Sequence, residues 1–298
     1  MSKPYDVIVI GTGIAGLSAA KQCAQDGLSV AMMEALLFGG LVTNINELDG
    51  GIAGSGVDLA ATLMQDARKS GAENIAAAVS AIEPEDEAFA VTSDAGKHRA
   101  RAVIVASGAR LKRLGVPGEA ELEDMGVSHC ADCDGPFYQG QDVVVVGGGD
   151  SALQEALVLA EFAKTVHLVH RGERFRARPP LVDKVAACAG IRVHWNTTVE
   201  EVLGEGAVLG VRVREAGAEG EIACTGFFAY IGLEPASGFA PAAIARDAVG
   251  CLVTDDSMQT AVPGLYAAGA VRAGYGGLLT HANAEGIAAA KSVLARVR

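Results

Sequence analysis

One pattern occurs twice in this chain, and it restricts the possible folds more than any other feature. Residues 5–10 form an apolar, β-branched run that ends in Gly11-Thr12-Gly13-Ile14-Ala15-Gly16 and passes into a helical pattern reaching about residue 26. Residues 142–146 repeat it, ending in Gly147-Gly148-Gly149-Asp150-Ser151-Ala152 before a helical pattern to about residue 163. A further short strand follows each copy, at 29–33 and at 165–169. Strand, glycine turn, helix and strand is the opening of a doubly wound fold, and parallel strands require crossovers of this kind. The expected fold class is α/β, with two Rossmann-like nucleotide-binding domains.

The rest of the chain says how the two are connected. Residues 102–106 read as a buried strand entering Ser107-Gly108, and Pro117-Gly118 marks a loop near the hand-over between domains. Strand-like stretches lie at 208–214 and 222–230, residues 231–237 with Gly232 and Pro235 read as a second linker, 264–268 is one more strand, and 285–297 a closing helix. The second domain is therefore expected as an insertion in the first: 1–113 with 237–298 form one domain, and 114–236 the other. A length of 298 residues suits two domains and is short for three.

A formal net charge of −12 argues against nonspecific nucleic-acid binding. No run of 18 or more apolar residues suggests a membrane span, and the start of the chain lacks the pattern of a signal peptide, so the expected location is cytoplasmic. Of the six cysteines, Cys23, Cys188, Cys224 and Cys251 stand alone and read as buried small hydrophobes.

Glycines at Gly11, Gly13 and Gly16 let a backbone approach a pyrophosphate, whose charge suits a helix N-terminus. Glu34 follows Gly11 by 23 residues, at the end of the second strand. A carboxylate there can accept hydrogen bonds from an adenosine ribose and would repel a 2′-phosphate, which suits FAD or NAD. The same count from Gly147 lands on His170, followed by Arg171, Arg174 and Arg176. Guanidinium groups pair well with phosphate, so the second copy suits NADPH, with NADH not excluded.

Cys130-Ala131-Asp132-Cys133 precedes the second glycine turn and is followed by Asp134. A zinc site would need four ligands; there is no second cysteine pair and the adjacent His129 leaves one ligand missing, so no metal is expected. A redox dithiol uses both cysteines at this spacing. Asp134 reads equally as an acid–base partner for a thiol or as a turn cap.

These residues together resemble the low-molecular-weight thioredoxin reductase family over nearly the whole chain. The segment Gly126-Val127-Ser128-His129-Cys130-Ala131-Asp132-Cys133-Asp134-Gly135-Pro136-Phe137-Tyr138 carries most of the likeness, joined by the two glycine turns and by Val262-Pro263-Gly264-Leu265-Tyr266-Ala267-Ala268-Gly269. The resemblance implies a homodimeric reductase passing electrons from NADPH to FAD, to Cys130 and Cys133, and on to a protein disulfide such as that of thioredoxin. It implies that Cys133 faces the flavin, that Cys130 attacks the partner and that Asp134 is the proton donor. FAD would be held by Gly11, Gly13, Ile14, Ala15, Gly16, Glu34, Gly40, Leu41, Ser107, Gly108, Gly269, Ala270 and Leu278. NADPH would be held by Gly147, Gly149, Asp150, Ser151, Ala152, His170, Arg171 and Arg176. Departures from the family pattern are Ala270 for an aspartate, part of Gly274-Tyr275-Gly276-Gly277-Leu278 for an arginine–glutamine pair, Leu41 for a glutamine and Gly172 for a second arginine. A flavin-dependent dithiol oxidase, a reductase of a non-thioredoxin disulfide and a noncatalytic redox sensor stay open as alternatives, although the arginines count against the oxidase.

Overall fold

The computed structural model describes residues 4–45, 48 and 54–298, and the chain divides into two compact units, Met1–Arg110 with Glu234–Arg298, and Leu111–Leu233. The divisions fall at 110/111 and 233/234, where the sequence suggested 113/114 and 236/237.

The first unit opens with strand β1 (Tyr5–Ile10), helix α1 (Ile14–Gln25) and strand β2 (Val30–Glu34), followed by a 3-10 turn over Gly40–Asn44 and helix α2 (Gly56–Lys69). Ser55 caps α2 by accepting the Asp58 N–H, and Asp58 returns the bond to the Ser55 N–H. Strands β3 (Glu73–Ala76), β4 (Val79–Pro84), β5 (Phe89–Ser93), β6 (Gly96–Val105) and β7 (Ala109–Leu111) follow. The strand expected at 102–106 thus starts six residues earlier, because residues 96–100 pair antiparallel with β5 before the buried part begins.

The inserted unit starts with β8 (Val127–Ser128), helix α3 (Ala131–Asp134), a 3-10 turn over Gly135–Tyr138, β9 (Asp142–Gly147), helix α4 (Asp150–Leu159), β10 (Thr165–Val169), helix α5 (Pro179–Ala187) and β11 (Ile191–His194). Helix α4 stops at Leu159 rather than near 163: Glu161 and Phe162 donate to Val158 and Leu159 in a tightened last turn. Next come β12 (Thr197–Gly204), β13 (Val208–Glu215), β14 (Ala218–Ala223), β15 (Gly226–Tyr230) and β16 (Leu233–Pro235). The single strand expected at 222–230 is two strands in different sheets. The Cys224 N–H bonds Leu209 and the Thr225 N–H bonds Asp142, so the chain changes sheets between them. Strands β7 and β16, where the chain crosses between units, pair with each other. The chain re-enters the first unit and ends with β17 (Leu265–Ala267), a 3-10 turn over Gly269–Val271 and helix α6 (Leu279–Val297). Helix α6 begins six residues before the expected 285, with Leu278 at its N-cap.

Among the described residues, the first unit holds a seven-stranded sheet of order β3-β2-β1-β6-β5-β4 with β17 also on β6. Strands β1, β2, β3, β6 and β17 run parallel, and β4 and β5 are antiparallel. The inserted unit holds a parallel sheet of order β11-β10-β9-β15-β8 and an antiparallel sheet β12-β13-β14. The α/β class with two Rossmann-like units holds; the seven-stranded sheet is mixed, and the inserted unit adds an antiparallel sheet to its parallel one.

Strands buried on both faces explain the continuous apolar runs. Val7, Ile8, Val9, Val103, Ile104 and Val105 are wholly buried, as are Val143, Val144 and Val145. Each such side chain contributes roughly 1.5–3 kcal/mol on leaving water. Helix α1 packs on α6 through small residues: a Cβ on Gly286 would lie 2.2 Å from the Ala15 carbonyl oxygen, so glycine sets that approach.

Candidate active site

Each glycine turn places open backbone at the C-terminal end of a parallel sheet, where such folds bind ligands. In the first unit, a cleft is lined by Gly11, Gly13, Ile14, Ala15, Glu34, Gly40, Leu41, Ser107, Gly108, Gly269, Ala270 and Tyr275 among others. The glycines divide the work. Gly16 serves packing, since a Cβ there would meet the Gly11 carbonyl oxygen at 1.9 Å, whereas a Cβ on Gly108 would meet nothing within 4 Å. Leu278 is 55% exposed at the start of α6, and its carbonyl accepts the Tyr275 hydroxyl at 2.8 Å.

Glu34 closes one end of the cleft. Its Oε2 accepts the Thr12 N–H at 3.0 Å and the Thr12 hydroxyl at 3.2 Å, while Oε1 accepts the Leu36 N–H at 3.2 Å. A carboxylate has about four acceptor positions, so these three bonds fix its rotamer and leave capacity for a diol. Ala270, which also lines the cleft, offers no polar side-chain group. Its neighbour Gly269 donates its N–H to Glu285 Oε2 at 2.8 Å, and Glu285 pairs with Arg272 in a nearly buried contact.

The second cleft, wholly within the inserted unit, is lined by Gly149, Asp150, Ser151, Arg176 and Tyr230 among others. A Cβ on Gly149 would meet nothing within 4 Å, so the backbone at the head of α4 is open to a ligand. Gly147 and Ala152 pack together instead, a Cβ on the glycine lying 2.5 Å from that of the alanine. His170 is buried, with Nδ1 at 3.0 Å from the Gly147 carbonyl and Nε2 at 3.0 Å from the Arg174 carbonyl, so it fastens the glycine turn to the arginine loop. Arg171, Arg174 and Arg176 are exposed, and among the described residues none has a carboxylate partner. Arg178, which the sequence reading passed over although it continues the same basic run, bonds Asp150 through both its N–H and its guanidinium. That contact holds the Asp150 carboxyl below its usual range, the Arg178 backbone N–H contributing most.

Between β8 and the following 3-10 turn, Cys130 and Cys133 form a disulfide with Cα atoms 5.3 Å apart. Cys130 is the N-cap of α3, and its Sγ accepts the Cys133 N–H at 3.2 Å; Cys130 is half-buried and Cys133 exposed. Asp134 Oδ2 accepts the Ser128 hydroxyl at 2.6 Å, and Ser128 Oγ in turn accepts the Cys130 N–H at 3.2 Å. His129 Nε2 turns to Glu123 Oε1, at 2.7 Å.

The sequence reading also missed Glu155 and Tyr230, which lie against α3. Burial, then the charge of Asp132, push the Glu155 carboxyl up to about 7, partly offset by the Ala131 N–H and the Tyr230 hydroxyl. Burial, then the charge of Glu155, raise the Tyr230 phenol. The one available signal was an acid in the middle of the helix, set between the buried Leu153 and Ala156. Of the four cysteines read as buried small hydrophobes, Cys23 and Cys224 are buried, and burial pushes both thiols up to about 12, whereas Cys188 and Cys251 are only half-buried.

Two open glycine clefts and a Cys-x-x-Cys disulfide on one of their units define an oxidoreductase of the disulfide class. The sequence profile of the family described as pyridine nucleotide-disulphide oxidoreductase matches residues 5–286. The chain is 39% identical over 279 residues to a thioredoxin reductase of Treponema pallidum, covering 92% of this chain and 91% of that protein. It is 38% identical over 298 residues to the thioredoxin reductase of Bacillus subtilis, covering 98% and 94%. The solved thioredoxin reductase of Lactococcus lactis superposes with a TM-score of 0.91 at 31% identity, covering 98% of this chain and 99% of that one. The chain belongs to the pyridine nucleotide-disulphide oxidoreductase family.

Proposed function

We propose that this chain is an NADPH-dependent flavoprotein disulfide reductase that draws electrons through Cys130 and Cys133 to the disulfide of thioredoxin or a thioredoxin-like protein. The observation that carries the proposal is the Cys130–Cys133 disulfide on the unit that also bears a glycine cleft lined by Arg176, with Arg171 and Arg174 on the same loop and, among the described residues, no carboxylate paired with any of the three. FAD fits the first cleft, whose open Gly108 backbone and anchored Glu34 suit a pyrophosphate and a ribose diol. When bound, it supplies two-electron exchange between a nicotinamide and a disulfide. NADPH fits the second cleft, with Gly149 for the pyrophosphate and Arg171 and Arg176 for the 2′-phosphate. His170 shapes that loop from beneath.

The chain's own groups support a division between the cysteines. The Cys133 N–H already points at Cys130 Sγ, and after reduction the same bond would stabilise a thiolate there. Cys130 is accordingly the nucleophile toward the partner, and Cys133 the residue that exchanges with the flavin. The family resemblance implies that Asp134 is the proton donor to the leaving thiol, and the Ser128 hydroxyl orients its carboxyl. From the family resemblance we further infer a cytoplasmic homodimer.

The test is a pair of single substitutions. Cys130→Ser and Cys133→Ser should each abolish disulfide turnover, because neither cysteine alone completes a two-electron exchange. Both should still let NADPH bleach the flavin. Cys133→Ser should in addition trap a mixed disulfide with a thioredoxin bait. Wild-type turnover in either variant would refute the proposal.

A further inference from the structure

Helix α4 carries a half-buried carboxyl, Glu155, that the proposed electron path does not use. Glu155 Oε2 lies 3.4 Å from the Tyr230 hydroxyl, and the Ala131 N–H is turned toward the same carboxyl. Ala131 is wholly buried and Tyr230 is 7% exposed, so this meeting point lies in the core of the inserted unit. Ala131 is also the residue between Cys130 and Asp132, inside the dithiol turn. A half-buried carboxyl normally keeps a cationic partner; among the described residues Glu155 has none. The charge that reaches it is that of Asp132 from α3, while the Tyr230 hydroxyl from β15 bonds it.

We propose that Glu155 is a positioning residue for the dithiol, holding the Ala131 amide from α4 and thereby coupling its own proton to the redox state of Cys130 and Cys133. The inference rests on the disulfide-reductase reading above. Reduction takes two electrons, breaks the S–S bond and leaves two sulfurs that together take up one or two protons. A thiolate at Cys130 and a carboxylate at Glu155 then draw on N–H groups of the same short turn, Cys133 and Ala131. Two anions at one turn disfavour each other, so forming the thiolate raises the proton affinity of Glu155, and by reciprocity a protonated Glu155 favours reduction. With the disulfide formed, the carboxyl already titrates at about 7, so the exchange falls at neutral pH.

The experiment equilibrates the full-length protein with mixtures of reduced and oxidised dithiothreitol. In that exchange the two thiols of dithiothreitol close to a cyclic disulfide as Cys130–Cys133 opens. The fraction reduced is read by alkylation and mass analysis of the peptide containing both cysteines, which needs neither nucleotide nor partner. Between about pH 6 and about pH 8, the wild-type equilibrium constant should depart from that of Glu155→Gln by roughly three- to tenfold, tenfold corresponding to one pK unit of coupling. Glu155→Asp should restore the inflection. Tyr230→Phe, which keeps the carboxyl and most of the packing, should move the inflection to higher pH. Wild-type and Glu155→Gln curves that stay parallel within about twofold would overturn the coupling while leaving the reductase reading intact. A pair that never exchanges with dithiothreitol would overturn the reductase reading and this inference with it.

Discussion

Glu285 offers the sharpest test of how the first cleft is built. Its carboxylate pairs with Arg272 at 2.5 Å, the two side chains being 11% and 15% exposed, and also accepts the Gly269 N–H at 2.8 Å. Glu285→Gln keeps an acceptor for Gly269 but removes the charge, leaving the Arg272 guanidinium uncompensated. Breaking a buried pair in this way costs roughly 3–5 kcal/mol, and the residual exposure favours the low end, about 3 kcal/mol. For a unit of this size, 1 kcal/mol moves the midpoint by about 2–4 °C, so a fall of roughly 6–12 °C is expected in thermal unfolding. Glu285→Ala should fall further and retain less flavin, because the Gly269 N–H beside Ala270 loses its acceptor as well. The double variant Arg272→Met, Glu285→Leu should recover much of the loss, since a well-packed apolar pair avoids both desolvation costs. A Glu285→Gln protein that melts within about 2 °C of wild type would refute the claim that this pair supports the cleft.

Other outcomes follow from the same geometry. Arg171→Ala should raise the KM for NADPH by roughly 10- to 100-fold, the equivalent of one charge-assisted contact, and barely change that for NADH; equal effects in steady-state kinetics would count against a 2′-phosphate role. Gly16→Ala, whose Cβ would meet the Gly11 carbonyl oxygen at 1.9 Å, should destabilise the apoprotein, whereas Gly149→Ala, with nothing within 4 Å, should melt like wild type and lose nucleotide affinity by titration. Glu155 has a raised carboxyl in the folded state, so its stability contribution is fully present below its unfolded value near 4.5 and is lost as pH rises through about 7. The midpoint of Glu155→Gln should therefore gain on wild type across that window and run parallel above it. A constant difference in pH-dependent thermal unfolding would contradict the burial argument.

The parts of the fold legible in the sequence were those where covalent geometry leaves little choice. A glycine turn between a doubly buried strand and a helix has a specific signature, and both copies gave the right elements to within a few residues. Residues 222–230 misled because Ile222 and Phe227 are both buried and apolar, and periodicity does not report that they belong to different sheets. The expected start of helix α6 at 285 fell short because the polar Thr280, His281 and Asn283 break the apolar pattern of its first turns, although the exposed Asn283 accepts the Ser18 hydroxyl. Within the site, Glu34, the cysteines and the arginines announced themselves by charge and spacing. Glu155, Ser128 and Tyr230 did not, because their roles come from α3 packing on α4 and β15, which no local pattern encodes.

The insertion also sets an order of events during synthesis. Residues 111–233 are contiguous and can collapse as soon as they emerge. The first unit cannot, because β6 must wait for β17 and α1 must wait for α6; the Ser18–Asn283 hydrogen bond alone spans 265 residues. The apolar faces of α1 and β6 therefore stay uncovered while the whole insert is made, which exposes this chain to misassociation for longer than a protein whose domains follow one another. Conversely, the two crossing points lie side by side on β7 and β16. Joining Arg110 to Glu234 by a short turn should thus give a continuous first unit, and closing residues 111–233 on themselves should give a separate unit that carries the Cys130–Cys133 pair.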